Sequence, residues 1–332
     1  MATVELGLRG HVMPKQKSCM NIVLLICCQL CVLQAQEQHK INLKKLASPF
    51  NSPFKSIVFH ATSDAQIPQP KIVVKWKSID FLDGNGTLKK QFASNSDIFV
   101  KLSSNGEFIG VQHGQLQMYK RDSIGGAEFA LLNGAGELLW KEPYKTYWDE
   151  PSDVYDVSSL GTVSKITWYE GTVTFYDKSG IKLANHLILA GANKGISGKW
   201  SSDGRLFAAA SKDQYANARN QQQLLLFDHL GNMLWRQSLS KVSSIGIVAF
   251  SPHSEFVLIT HRDETMKLKG AFFKVDDGSL AGSFEDDGFS YGKFSPQKNM
   301  VLAHLIINNV SHLALYDVPS GKRIFKLNTE GR

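Results

Sequence analysis

The sequence predicts an all-β chain folded as a β-propeller of six four-stranded blades. Three observations predict it. A turn motif built on Asp or Asn and closed by Gly recurs every 43–51 residues, a second motif opening with Ser alternates with it, and the runs between them are short and β-rich. A helical solenoid would show a 3.6-residue period, and a β-sandwich would not keep two turns in fixed alternation. Seven blades is the alternative count.

The first motif joins strands c and d of each unit. Its copies run Phe81-Leu82-Asp83-Gly84-Asn85-Gly86, Leu131-Leu132-Asn133-Gly134-Ala135-Gly136 and Phe175-Tyr176-Asp177-Lys178-Ser179-Gly180, then Leu226 to Gly231, Phe273 to Gly278 and Tyr316 to Gly321. Asp or Asn accepts backbone hydrogen bonds in the turn, and Gly supplies the positive φ of a tight hairpin. The second motif joins strands a and b. It reads Ser103-Ser104-Asn105-Gly106, Ser158-Ser159-Leu160-Gly161, Ser201-Ser202-Asp203-Gly204, Ser251-Pro252-His253-Ser254 and Ser295-Pro296-Gln297-Lys298, with Ser52-Pro53 as a weaker sixth copy. Apolar runs follow at 57–61, 108–111, 206–210, 256–259 and 300–303, too short for helices. The blades so defined are 41–93, 94–143, 144–188, 189–240, 241–284 and 285–327, with strand a of blade 1 placed near 41–47. Each terminal blade supplies its own outermost strands, so the ring is expected to close by packing of blade 1 against blade 6, its weakest seam.

Length and composition fit this frame. A chain of 332 residues exceeds what one hydrophobic core usually fills. With 43% hydrophobic and 20% charged residues it is not a disordered chain. The net charge of +7 is dispersed, without the basic stripe of a nucleic-acid binder.

The paired Phe250-Ser251-Pro252 and Phe227-Asp228 or Tyr316-Asp317 elements resemble WD40-like and TolB-like propeller repeats. The Gly-x-x-Leu-Trp endings (Gly136 to Trp140, Gly231 to Trp235) resemble quinoprotein-type propellers. The resemblance covers 41–327 and implies the fold. It implies no function, because propellers host many unrelated activities. The chain departs from WD40 proper in that Gly-His and Trp-Asp dipeptides do not recur through its repeats, and from quinoprotein enzymes in lacking a cofactor-binding set. No cofactor is expected.

Residues 1–35 read as a signal peptide ahead of a single propeller domain over 36–332. Lys15 and Lys17 precede an apolar run over 20–33, and Ala35 offers a small residue for cleavage. The run is short for a membrane span, so no stable span is expected in the mature chain; an uncleaved anchor is the alternative. Met13 or Met20 serves equally as a start. All four cysteines (Cys19, Cys27, Cys28, Cys31) lie in this segment, so the mature chain would have no disulfide, thiolate nucleophile or cysteine metal site. Lipid attachment at Cys31 is disfavoured by the preceding Leu30. The expected location is periplasmic or secreted.

In antiparallel blades the b–c and d–a connections share one face, and the two repeated turns share the other. The first set varies in length, and variable loops on a rigid scaffold are where binding usually sits. His113, Trp168, Ser211 and His261 occupy one register at the ends of b strands. Tyr144, Tyr147, Trp148 and Asp149 fill a d–a loop beside Trp168 and Tyr169, and Asp286 lies in another. An aromatic-and-acid cluster of this kind suits a protein or peptide partner, or a carbohydrate; packing between blades is the competing reading of the same rings. Trp140 and Trp235 share a register in strand d and read as structural.

Reaction chemistry finds little support. His113, His261 and His304 are too poorly aligned for a zinc set, and the acidic turns lack the spacing of a calcium loop. There is no His-Glu-x-x-His and no phosphate loop, and no catalytic residue is assigned. Asn85-Gly86-Thr87 and Asn309-Val310-Ser311 are glycosylation sequons. The expectation is a non-catalytic binding propeller; the alternative is a hydrolase or lyase with its site at the channel mouth.

Overall fold

The computed structural model describes residues 57–59, 71–114, 127–144, 146–147, 150–151, 153–168, 170–188, 194–213, 222–240, 242–263, 265–284, 286–295 and 299–328. The signal-peptide expectation and the first predicted strand lie outside them. Six four-stranded antiparallel sheets follow one another, each in the order a-b-c-d, which is the architecture of a six-bladed β-propeller.

Blade 1 holds Ile57–Phe59, Lys71–Val74, Ser78–Leu82 and Leu88–Ala93. Blade 2 holds Ile98–Leu102, Phe108–His113, Glu128–Asn133 and Leu138–Pro143. Blade 3 holds Asp153–Val157, Val163–Thr167, Thr172–Tyr176 and Lys182–Leu187. Blade 4 holds Lys194–Trp200, Leu206–Asp213, Gln222–Asp228 and Met233–Leu239. Blade 5 holds Val242–Phe250, Phe256–Asp263, Leu268–Lys274 and Leu280–Ser283. Blade 6 holds Phe289–Phe294, Met300–Ile307, Val310–Asp317 and Arg323–Asn328. A two-stranded hairpin, Thr146–Tyr147 with Glu150–Pro151, bridges blades 2 and 3.

One expectation is corrected in blade 1. The run beginning at Ile57 was assigned to strand b, but Ile57–Phe59 pairs with Lys71–Val74 as the sheet's first strand. Strand b is Lys71–Val74, because Lys75 to Lys77 make a tight return to strand c, closed by Lys75 N donating to the Ser78 carbonyl at 2.7 Å. The Ser52-Pro53 copy therefore precedes the sheet instead of joining a to b.

Side-chain chemistry explains both repeated turns. The leading serine of the a–b turn accepts a hydrogen bond from the first residue of strand b: Phe108 N to Ser103 Oγ, Leu206 N to Ser201 Oγ and Phe256 N to Ser251 Oγ, each 3.0 Å. In blades 1 to 4 the Asp or Asn of the c–d turn accepts two backbone N–H groups. Asp83 takes those of Asn85 and Thr87 at 2.9 and 2.8 Å, and Asp228 those of Leu230 and Asn232 at 2.9 and 2.8 Å. These bonds stand in for backbone partners that a tight turn lacks. Just before the turn, all six c–d ladders carry a β-bulge at the same step.

The core divides into five hydrophobic clusters, one for each junction between consecutive blades from 1/2 to 5/6. Among the described residues no such cluster joins blade 6 to blade 1, where closure by packing was expected. Three a–b turns converge: Ser104 Oγ of blade 2 donates to the Ser202 carbonyl of blade 4, and Ser202 Oγ donates to the Pro252 carbonyl of blade 5 at 3.4 Å.

Candidate functional site

Three places on the face carrying the b–c and d–a connections gather polar or aromatic side chains.

The first lies between blades 1 and 2. The three-residue b–c return of blade 1 holds Trp76, 61% exposed, and its carbonyl accepts a hydrogen bond from Ile98 N, which starts blade 2. Phe99, the next residue, is 56% exposed. Two aromatic rings are thus held out by short, hydrogen-bonded backbone. Beside them, Ser94 Oγ stands 3.5 Å from His113 Nδ1, and Glu128 Oε1 stands 3.5 Å from His113 Nε2. Lys141 pairs with the other oxygen of Glu128 at 2.9 Å, and Phe92 meets the imidazole edge-on. Burial holds the His113 pKa below its ordinary value, which keeps the ring neutral at pH 7.

The second lies between blades 2 and 3. Glu142 comes from strand d of blade 2; Asp153, Tyr155 and Lys165 come from strands a and b of blade 3. Lys165 Nζ reaches Asp153 Oδ2 at 3.1 Å and Glu142 Oε1 at 3.4 Å, and it lies over the Tyr155 ring. Tyr155 donates its hydroxyl to Glu142 at 2.7 Å. Gln112 of blade 2 donates to the Asp153 carbonyl at 2.9 Å. Burial pushes the Asp153 carboxyl up, against the pull of Lys165. Burial acts to lower the Lys165 pKa, but Asp153 and Glu142 outweigh it and keep the ammonium charged. Burial likewise keeps the Tyr155 phenol protonated, as its role as donor requires. The Asp153 Oδ1 atom is buried without a hydrogen-bond partner among the described residues. Trp168, 36% exposed, follows strand b at the rim of this network.

The third lies between blades 5 and 6. Asp263 Oδ1 accepts the backbone N–H groups of Thr265 and Lys267 and the Thr265 hydroxyl, at 2.9, 3.1 and 2.6 Å. The Thr265 hydroxyl is the main cause of a carboxyl pKa lowered to about 2. Lys267 and Lys269 both reach Asp287, at 2.8 and 3.5 Å.

The expected site residues are distributed unevenly over these places. Tyr144 is in the core, only 4% exposed, with its ring 6.0 Å from that of Tyr155. Its own N–H bonds the Ala127 carbonyl, which draws the ring inward. Ser211 is buried as well: it donates to Gln222 Oε1 at 3.0 Å and accepts from Gln223 N at 2.7 Å, so it braces blade 4 from inside. Asp286 accepts from the Tyr316 hydroxyl and from Arg323, at 2.6 and 2.7 Å, as an internal brace of blade 6. His261 is half-buried in strand b of blade 5, where burial lowers its pKa. Tyr147 belongs to the hairpin between blades 2 and 3. Trp148, Asp149 and Tyr169 lie outside the described residues. The structure therefore places Trp168 just beyond strand b of blade 3, and leaves His113, His261 and Asp286 in three different blades. Trp76 and Phe99 were missed; the available signal was a Trp set between two lysines, Lys75 and Lys77, at a strand end. Among the described residues no three His, Cys, Asp or Glu side chains converge as a metal would need, and no helix is long and apolar enough to cross a membrane.

No protein-family model matches the chain, and no curated relative matches it in sequence. Among solved structures it is similar to the computationally designed protein Ika8, at 13% identity and a TM-score of 0.50, over 82% of this chain and 80% of that one. It is also similar to hydrazine synthase of Kuenenia stuttgartiensis, at 10% identity and a TM-score of 0.48, over 77% and 78%. At such identities the first likeness supports the fold alone, and the second carries no argument.

Proposed function

We propose that this chain is an exported, non-catalytic β-propeller that binds a protein or peptide through the face carrying its b–c and d–a connections. One observation carries the reading: Trp76, Phe99 and Trp168 expose aromatic rings on that face, Phe99 within a strand and the two tryptophans in the short backbone just beyond strand ends. Large rings with few rotatable bonds give contact area at low entropic cost, which is why aromatics dominate binding hot spots. The opposite face offers uniform turns whose polar side chains are already engaged with their own backbone.

The test compares the purified chain with a Trp76→Ala/Phe99→Ala/Trp168→Ala variant as bait against a secreted or periplasmic fraction of the source cells. The reading expects proteins retained by the first and lost by the second. Identical recoveries would remove it, and selective binding on a glycan array would replace the protein partner by a carbohydrate. Export is tested separately by mass spectrometry of the amino terminus, which should begin near Gln36.

A second reading, a serine hydrolase, has one observation in its favour: the Ser94–His113–Glu128 alignment. A neutral imidazole between a hydroxyl and a carboxylate is a general-base arrangement, and both distances are long for one. Ester turnover that disappears in Ser94→Ala would establish it.

A further inference from the structure

The molecule contains five copies of one joint and two separated halves of a sixth. At each internal seam the glycine closing a c–d turn sits against the preceding blade. A methyl group on Gly136 would stand 2.6 Å from the Phe81 ring, on Gly180 2.9 Å from Trp140, on Gly231 2.7 Å from Phe175 and on Gly278 2.8 Å from Trp235. Gly321 meets the Ser283 carbonyl in the same way. Close approach of this kind requires glycine at the turn and a flat or small surface beneath it.

The surface beneath is equally regular. One step before the bulge, strands c and d face each other as Phe81 with Lys90, Leu131 with Trp140, Phe175 with Ala184, Leu226 with Trp235 and Phe272 with Gly282. Size on one strand is matched by economy on the other, so the next turn always finds a similar platform. Hydrogen bonds secure several joints: Trp235 Nε1 donates to the Val275 carbonyl at 2.6 Å, and His186 Nε2 lies 2.7 Å from the Gly231 carbonyl.

Blade 6 carries the platform without the turn. Leu315 faces Phe325 at the equivalent step, so Phe325 is the counterpart of Trp140 and Trp235. It is 48% exposed, with the exposed Ile324 beside it. Blade 1 carries the turn without the platform. Gly86 has the same positive φ as the other turn glycines, and no atom among the described residues lies within 4 Å of where its side chain would be. Among the described residues these two halves are not in contact: Phe325 stays exposed and nothing lies against Gly86.

We propose that the chain associates head to tail with a second copy of itself, the Asp83-Gly84-Asn85-Gly86 turn of one molecule seating on Phe325 of the next. The occupant is specified by the molecule: the platform on blade 6 sets an aliphatic residue on strand c against an aromatic on strand d, the form that this chain's own glycine turns cover at Trp140 and Trp235. The contact is heterologous, because the two patches differ, so association builds a closed ring or an open string of copies instead of a two-fold dimer.

Sedimentation velocity across the micromolar range tests this. The purified chain should show concentration-dependent oligomers. Phe325→Ala should weaken association by roughly 30-fold or more, as expected for a central aromatic anchor. Gly86→Asn, which tolerates positive φ but fills the joint, should do the same. Ile324→Lys provides an independent lesion of the blade 6 patch, and circular dichroism reports whether each variant is folded. The decisive experiment mixes Phe325→Ala with Gly86→Asn. Each lacks one half, so each alone is monomeric, and the mixture should give a capped one-to-one pair through the single intact joint. Leu230→Ala, which removes an exposed apolar side chain away from both patches, should change nothing. A wild-type chain that stays monomeric, a mixture that sediments as the sum of its parts, or a Leu230→Ala effect equal to that of Phe325→Ala would each overturn the proposal.

Discussion

The seam between blades 3 and 4 and the seam between blades 2 and 3 solve the same packing problem with different chemistry. In the former, Phe175 is ringed by Trp200, Phe207 and Phe227 at centroid distances of 5.9, 5.5 and 5.3 Å. In the latter, Phe129 stacks on Tyr155 at 4.1 Å, and Tyr155 leads into a network of one buried carboxylate, Asp153, with the half-buried Glu142 and Lys165. An aromatic seam depends mainly on shape. A seam with buried ions depends on every member being present, because a charge left alone in a dry site is costly. The difference teaches that the repeat fixes where blades meet but leaves the means of adhesion open.

The largest effect expected is on the aromatic seam. Phe175→Ala removes the hub of four rings and should destabilise the chain by about 3–5 kcal/mol, read from the denaturant midpoint at constant m-value. A loss under about 1 kcal/mol would mean that the neighbouring rings collapse into the gap. Lys165→Ala probes the ionic seam. It strands Asp153 and Glu142 without their counter-charge and should cost about 3 kcal/mol, whereas Lys165→Met combined with Asp153→Asn should recover most of that loss. If the double variant is no better than the single one, the carboxylate is not the source of the cost. The pH dependence of this seam follows from the sign of each shift. Lys165 is raised, so its contribution is complete below the ordinary lysine value and is lost as pH rises through the raised one. Asp153 is raised too, so its ionised form works against stability at neutral pH, and protonation relieves that cost.

A smaller effect tests the joint that both seams share. Gly180→Ala presses a methyl group onto Trp140 and forces a side chain into positive φ; a loss of about 1–3 kcal/mol is expected in thermal melts. The smallest effect sharpens the contrast between buried and exposed acids. Asp263 is at the surface and its pKa is lowered, opposite to Asp153. Its contribution is present above the ordinary aspartate value and lost as pH falls through about 2. Carboxyl NMR of Thr265→Ala should show the Asp263 titration moving up towards the ordinary value, since the largest single cause of the shift is gone; an unmoved titration would reassign the cause to the backbone.

Much of this was legible in the chain because its turns are chemically explicit. Asp83, Asn133, Asp177 and Asp228 accept the turn N–H groups, and the glycines after them take positive φ, so local chemistry marked where strands end. The blade limits at 94–143, 144–188, 189–240 and 241–284 enclose the observed sheets for that reason. Blade 1 was misread where the signal is weakest, since Ser52-Pro53 imitates a turn that the sheet does not use. The network of Glu142, Asp153 and Lys165 was invisible because its members come from three strands and two blades. Only the pairing of Tyr155 with Lys165 puts the ammonium between the acids. A lysine between the buried residues Ser164 and Ile166 was the available hint. Tyr144 and Trp168 carry similar rings in one neighbourhood, and nothing in their sequence says that the first turns inward and the second outward.

The meeting of Ser104, Ser202 and Pro252 ties together blades that are not neighbours in sequence. The a–b turn of blade 2 bonds that of blade 4, which in turn bonds that of blade 5. These ties act like stitches through the ribs of a fan: blades 2, 4 and 5 do not spread apart at these turns without breaking them.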